Sequence, residues 1–495
     1  MENSEGILKK SIRGGKWMFL NTLCQQAIAL ISFVVLARLL HPQDFGVITI
    51  LLVAPSFLNL ITSVGFEFAL IQSKEDPKKY LNEIWTFSII RTTAIFIVVF
   101  FSAPLIAEFF HLEKVIWAVR LSGIFILISG FANAAKLYFF KDIDFKKIFI
   151  RDTTGLIFYA VISIFLAIFY KSFWPLFWGQ LGQHLSNTVI TYILHEYRPR
   201  LSFKFRKLKK LIGYSKWIFG QNFIGNAIPV IENTVIGRII DASGVGLYTR
   251  SKSIASLPSA PLYNIFEKVT FPAYAKIQES YEKIKDGFIK SLDILFFFTF
   301  PFIMIFWEFG YRIILIFLGE KWIEIIMLLK ILLVAVTINT LISLSGPIFN
   351  AVGKPKIQFY INSANIVVLI IFLLLLAPRY GIIGIAAAVL INSVIIFLTS
   401  FYGLMKILDI KIINAAKPLL IPAISSLLML GIGKLIFAEF KNINDISFII
   451  LTACLGIFYL AFITLFGKWL KTGPYATLKL VSFEIFKRPK NIFVP

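Results

Sequence analysis

Cysteine and histidine are scarce in this chain, with two cysteines and four histidines among 495 residues. Cys24 and Cys454 both lie inside apolar runs, which excludes a disulfide framework. His41, His111, His184 and His195 show no metal-ligand spacing, and neither CxxC nor HExxH occurs. The sequence therefore predicts no metal and no cofactor. A GxxxxGK[ST] phosphate loop is also missing; Gly431-Ile432-Gly433-Lys434 is too short and sits in an apolar run. Nucleotide hydrolysis by this chain itself is not expected. Charged residues are few, at 16%, and the 27 acids are outnumbered by 50 bases.

Apolar residues fill the space. They make up 58% of the chain, 52 residues are Phe, and mean hydropathy is +0.81. Soluble proteins average about 45–50% apolar and about 25% charged. One soluble core cannot hide this excess, so the composition indicates an all-α integral membrane protein whose first partner is the lipid bilayer. The net charge of +23 would suggest nucleic acid in a soluble chain. Cationic cytoplasmic loops of a membrane protein produce the same sum. No basic stretch lies in a segment long enough to be a domain, so no nucleic-acid partner is expected.

An apolar helix needs about 20 residues to cross a hydrocarbon core roughly 30 Å thick. Fourteen segments qualify, at roughly 17–40, 45–72, 83–107, 115–139, 148–170, 173–195, 211–240, 245–275, 288–318, 322–350, 357–378, 381–405, 417–438 and 446–469. Loops alternate in charge. One set carries Lys9, Arg13, Lys78, Lys146, Arg198, Arg200, Lys204, Arg206, Lys285, Lys356 and Lys406. The loops between are short and poor in bases, as at His41–Asp44 and Asp241–Gly244. The positive-inside rule places the basic set, and both termini, in the cytoplasm. No loop is long enough for a soluble catalytic domain, so the chain reads as a non-enzyme.

A shift of 200 residues brings out a repeat. Across 16–49 and 216–249, ten of 34 positions coincide without gaps, among them Trp17/Trp217, Arg38/Arg238 and Gly46/Gly246. Composition alone gives on the order of three in so biased a chain. Six segments separate the copies, and an even number makes the repeat parallel. The expected architecture is two six-helix lobes, 1–200 and 201–410, around a central cavity. Residues 411–495 add two helices and a basic cytoplasmic tail. Proline interrupts several spans, and Pro258 and Pro261 are the hinge candidates.

The stretch Gly15-Lys16-Trp17 followed by Leu36-Ala37-Arg38-Leu39-Leu40-His41-Pro42-Gln43-Asp44-Phe45-Gly46-Val47 resembles the opening of the polysaccharide-exporter family, the Wzx-like flippases of O-antigen and colanic acid. Gly65-Phe66-Glu67-Phe68, Ile236-Gly237-Arg238, Gly246-Leu247-Tyr248 and Asn350-Ala351-Val352-Gly353-Lys354-Pro355 are similar to later motifs of that family, in order, over roughly residues 10–400. The resemblance implies the multidrug/oligosaccharidyl-lipid/polysaccharide exporter fold in a bacterial inner membrane. Its implied substrate is an undecaprenyl-diphosphate-linked oligosaccharide, with a polysaccharide polymerase and chain-length machinery as further partners.

An ionisable residue inside a span is costly and usually faces a cavity. For a diphosphate passing the midplane, Arg91, Arg120 and Arg250 are the candidate contacts, because a guanidinium stays charged and bonds phosphate bidentately. Each has a plainer reading as a structural pair or an interfacial cation. Glu67 and Glu232 are candidates for ion coupling, or for salt bridges to those arginines. Arg38 and Arg238 read as helix-end cations. Two other functions stay open: a cation-coupled multidrug exporter of the same superfamily, and a membrane glycan polymerase or ligase.

Overall fold

In lipid a backbone must satisfy its own hydrogen bonds, which leaves helices and closed barrels. All regular structure among the described residues is helical. The structure, a computed structural model, describes residues 4–63, 65–66, 70, 76–265, 274, 277–439, 443–470 and 473–475. Glu67 and the basic tail from residue 476 lie outside the described residues. In chain order the helices are α1 (Ser4–Leu39), α2 (Pro42–Thr62), α3 (Leu81–Phe109), α4 (Ile116–Ser122), α5 (Ile124–Gly130), α6 (Leu137–Lys141), α7 (Phe145–Phe169) and α8 (Trp174–Ile193). They continue with α9 (Lys209–Ile239), α10 (Ala242–Ala255), α11 (Ala260–Ile265), α12 (Tyr281–Phe317), α13 (Ile325–Ser343), α14 (Ser345–Ala351), α15 (Pro355–Leu408), α16 (Ile412–Glu439) and α17 (Asp445–Leu470).

Among the described residues nine helices are long and apolar enough to cross a membrane, or ten if the pair 113–130 and 134–141, bent by 68°, is one span. That is fewer than the fourteen segments read from the sequence. One reason is that α15 is counted once although Gly381, at φ 58° and ψ −141°, breaks it into two arms. Another is polarity or length: α8 carries Gln180, Gln183, His184 and Asn187, and α10 has 14 residues. Along the apolar spans large hydrophobic side chains point outward, Phe101 at 76% exposure and Leu105 at 71%. Lipid covers such faces; water would not tolerate them in this number.

The chain forms two compact units, Met1–Thr249 with Leu373–Ile385, and Arg250–Phe372 with Ala386–Pro495. In the first, α1 packs on α7 and α7 on α8. Arg151 and Asp152 on α7 pair with each other at 2.6 Å, and Asp152 also accepts from Asn21 (3.5 Å) and Gln25 (3.4 Å) of α1. Asp152, held by Arg151, thus joins α7 to α1.

In the second unit α12 is the central post, with α13, α16 and α17 packed on it. Ile421, Met429, Leu455, Tyr459 and Ile463 of the last two helices bury themselves against Phe297, Met304, Ile305 and Phe309 of α12. Tyr459 donates to the Phe297 carbonyl at 2.8 Å. Lys434 pairs with Glu308 at 3.1 Å. Arg312 bonds the Ile443 carbonyl, lies 3.7 Å from Asp445 and stacks 4.5 Å over the Phe448 ring. The two C-terminal helices are therefore built into this unit.

Candidate functional site

Helix α2 begins where Pro42 supplies the preset φ of a first helical residue and the His41 N–H donates to the Asp44 carboxylate at 2.9 Å. From there Thr49, Leu52, Val53, Ser56, Asn59, Leu60 and Ser63 recur at three- and four-residue steps and share one helix face. On α9, Asn226, Pro229, Val230 and Asn233 do the same. The two stripes line one open cavity of about 590 Å³ inside the first unit. Among the described residues no lining side chain carries a charge. The polar ones are three amides and three hydroxyls, set among five apolar residues.

Arg91 stands one residue behind this wall. Its guanidinium donates to Asn59 Oδ1 at 2.7 Å, to the Asn59 carbonyl at 3.4 Å and to Thr62 Oγ1 at 3.3 Å. An amide whose oxygen is held by a cation keeps its NH2 donors for something else. Arg91 therefore sets the direction of Asn59. The other predicted residues lie elsewhere. Arg120 on α4 stacks 4.6 Å over Trp117 and 5.5 Å over Phe100, and its Nε has no hydrogen-bond partner among the described residues. Arg250 is the first residue of the second unit. Glu232 adjoins Asn233 in the chain and is buried at 3% exposure beside the Tyr248 hydroxyl. Glu67 lies outside the described residues. Pro258 occupies the turn between α10 and α11, where the helix stops at Ala255 and resumes at Ala260, and Pro261 follows in the first turn of α11.

Near the Thr49 end of the cavity two helix starts meet backbone to backbone. A Cβ on Gly46 would stand 1.5 Å from the Ala242 carbonyl oxygen, and one on Gly246 would stand 1.9 Å from the Pro42 carbonyl oxygen. Each glycine amide nitrogen also faces the other glycine. Residues 42 and 242, like 46 and 246, are partners in the 200-residue repeat. The contact is thus reciprocal, with the starts of α2 and α10 crossing through their glycines. Thr49, one turn on from Gly46, is the first residue of the cavity wall. Close by, Arg238 donates to the Phe109 carbonyl at 2.9 Å, lies 3.0 Å from His111 Nε2 and stacks 5.1 Å from the Phe109 ring. It caps the C-terminal end of α3, the structural role expected of a helix-end cation.

Sequence reasoning missed Asn59, Asn226, Asn233 and Ser56. A signal existed: amides and hydroxyls repeating at helical steps within apolar spans. Outside the spans, Asp76 accepts from the Lys78 N–H and the Tyr138 hydroxyl, each at 3.0 Å, and these bonds hold its carboxyl below the usual range.

A multi-pass helical bundle with an internal sequence repeat and a polar cavity between two of its helices, α2 and α9, is the architecture of a membrane transporter. Residues 35–327 match the family described as polysaccharide biosynthesis protein, and the chain belongs to it. It is similar to the lipopolysaccharide biosynthesis protein WzxC of Escherichia coli, 23% identical over 81% of this chain and 82% of WzxC. It is also similar to the teichuronic acid biosynthesis protein TuaB of Bacillus subtilis, 22% identical over 86% of this chain and 90% of TuaB. In fold it matches the lipid II flippase MurJ in an inward closed conformation, with TM-score 0.72, 18% identity, and coverage of 92% of this chain and 100% of MurJ. The resemblance to the Wzx-like exporters read from the sequence is borne out.

Proposed function

We propose that this protein carries a lipid-linked oligosaccharide, an undecaprenyl-diphosphate-linked repeat of a surface polysaccharide, outward across the bacterial inner membrane by alternating access and without catalysing a reaction. The observation that carries this reading is the reciprocal Gly46–Gly246 contact of the repeat-related starts of α2 and α10, beside the Thr49 end of the amide-lined cavity between α2 and α9. In this reading the contact closes that end, and a cavity shut at one end by symmetric parts is one half of an alternating-access cycle. The names of WzxC, TuaB and MurJ support the substrate class.

In this reading fourteen spans leave both termini in the cytoplasm, and the glycine contact is the periplasmic closure. Lobes 1–200 and 201–410 rock against each other about Pro258 and Pro261, with 411–495 as an added pair of helices and a tail. Asn59, Asn226, Asn233 and Ser56 bond the sugar hydroxyls and acetamido groups. Arg91 holds Asn59 in place, and Arg120 and Arg250 meet the diphosphate. Glu67 and Glu232 carry any coupled cation. Polymerase and chain-length machinery receive the product. The test is transport in proteoliposomes given fluorescent lipid-linked oligosaccharide and, separately, ethidium. Oligosaccharide should cross and ethidium should not. Ethidium transport alone would make the protein a drug exporter, and polymer formation would make it an enzyme.

A further inference from the structure

Between α8 and α9 the chain runs without helix or turn from residue 195 to 204, and this segment is tied down along its length. Tyr197 donates its hydroxyl to Asn82 Oδ1 at 2.7 Å, and the Arg200 N–H donates to the same oxygen at 2.8 Å. The Ser202 N–H donates to Thr86 Oγ1 at 2.9 Å and its hydroxyl to Glu83 at 3.1 Å. Asn133 donates to the Tyr197 carbonyl at 2.7 Å. Asn82, Glu83 and Thr86 form the first turns of α3. The segment is therefore a strap laid across the N-terminal end of α3, a helix long and apolar enough to span a membrane.

The outer side of the strap has a distinct composition. Tyr197 and Ser202 point inward to their partners, while Leu201 and Phe203 are 64% and 67% exposed. Around them Arg200, Lys204 and Arg206 are exposed as well. Glu196 is the one exposed acid on the strap. Two large apolar side chains held in water by a fixed backbone are unfavourable. The same two side chains beside three cations suit a surface that offers hydrocarbon just below negative charge.

We propose that the 195–206 strap is a binding surface for anionic phospholipid, with Leu201 and Phe203 seated among the upper acyl chains and Arg200, Lys204 and Arg206 on the headgroup phosphates. Each base near an anionic surface contributes about a fivefold preference over a neutral one, so three contribute about a hundredfold. The hydrogen bonds to α3 aim the side chains in advance, so the strap need not be ordered on binding.

The experiment places a nitroxide at Phe203→Cys, and separately at Leu201→Cys, in a Cys24→Ser/Cys454→Ser background in nanodiscs. Collision with oxygen and with a water-soluble nickel complex gives the depth of the label. In discs containing phosphatidylglycerol both labels should lie below the phosphate level; in phosphatidylcholine discs they should lie in water. The variant R200Q/K204Q/R206Q should abolish the difference. It keeps the strap in place, because Arg200 bonds Asn82 through its backbone. Unchanged label mobility in that variant checks this. Added inorganic phosphate should not compete, since free phosphate offers no hydrocarbon. Equal depth in the two lipids overturns the proposal, as does a lipid dependence that survives in the triple glutamine variant.

Discussion

A methyl group on Gly46 should push the protein out of the state described here. The Cβ of Gly46→Ala would sit 1.5 Å from the Ala242 oxygen, and ordinary contact begins at 3.4 Å, so the starts of α2 and α10 must part by about 1.9 Å. The opposing atom is backbone, which has no rotamer by which to yield. Overpacking of this kind costs about 1–3 kcal/mol where the structure can relax, and a backbone clash belongs at the upper end. At about 1.4 kcal/mol per factor of ten, the closed form loses roughly tenfold to a hundredfold in population. The strain disappears in any state where the two helix starts separate, so the alternative open state is favoured rather than the unfolded one.

The assay is labelling of Thr49→Cys, one turn below the contact, by a membrane-impermeant maleimide added to intact spheroplasts, with Cys24 and Cys454 replaced. Gly46→Ala should raise the labelling rate at least tenfold and lower surface polysaccharide at unchanged protein level. Gly246→Ala, whose Cβ would meet the Pro42 oxygen at 1.9 Å, should do the same. Because one separation relieves both clashes, the double variant should be little worse than either single one. Wild-type labelling and wild-type polysaccharide in the double variant would refute the reasoning, since the contact would then not be a closure. Loss of folded protein in both variants would refute it too, because an open state that relieves the clash would not exist.

Three other outcomes are expected. Arg91→Ala removes the guanidinium bonds to Asn59 and Thr62, at about 1.5–3 kcal/mol for charge-assisted bonds, so initial flipping rates in proteoliposomes should fall about tenfold or more; Asn59→Ala should fall as far, and the double variant no further, whereas additive losses would make Arg91 an independent contact. Gly381→Ala forces a side chain onto φ 58° and ψ −141°, a region open only to glycine, and should lower the detergent melting temperature through about 1–3 kcal/mol of strain; an unchanged transition would show that the break in α15 is not confined to this residue. Outward movement of a diphosphate carrying about two negative charges gains roughly 4–5 kcal/mol at 100 mV, inside negative, so a potassium–valinomycin potential should accelerate flipping. A rate that ignores the potential and follows a H⁺ or Na⁺ gradient would instead assign coupling to Glu67 and Glu232.

Much of the fold was legible in the one-dimensional pattern. Hydropathy and span length predict helices in lipid because a helix satisfies its backbone within one segment, so no distant partner has to be known. The repeat was legible because it is written at a fixed offset, and its matched glycines, 46 and 246, mark the reciprocal contact. The roles of the ionisable residues were not legible. Whether a guanidinium meets substrate or protein depends on which helix packs beside it, and such partners stand far off in sequence: Asn59 lies 32 residues from Arg91, and Phe109 lies 129 from Arg238. Charge drew attention to the arginines because a cation in lipid is costly, while Asn59, Asn226 and Asn233 passed as ordinary polar residues. Only the packing of α2 against α9 turned two separate stripes into one cavity wall. Sequence determined what each helix had to bury or expose; tertiary structure decided which polar groups were used up in holding helices together and which were left facing the cavity.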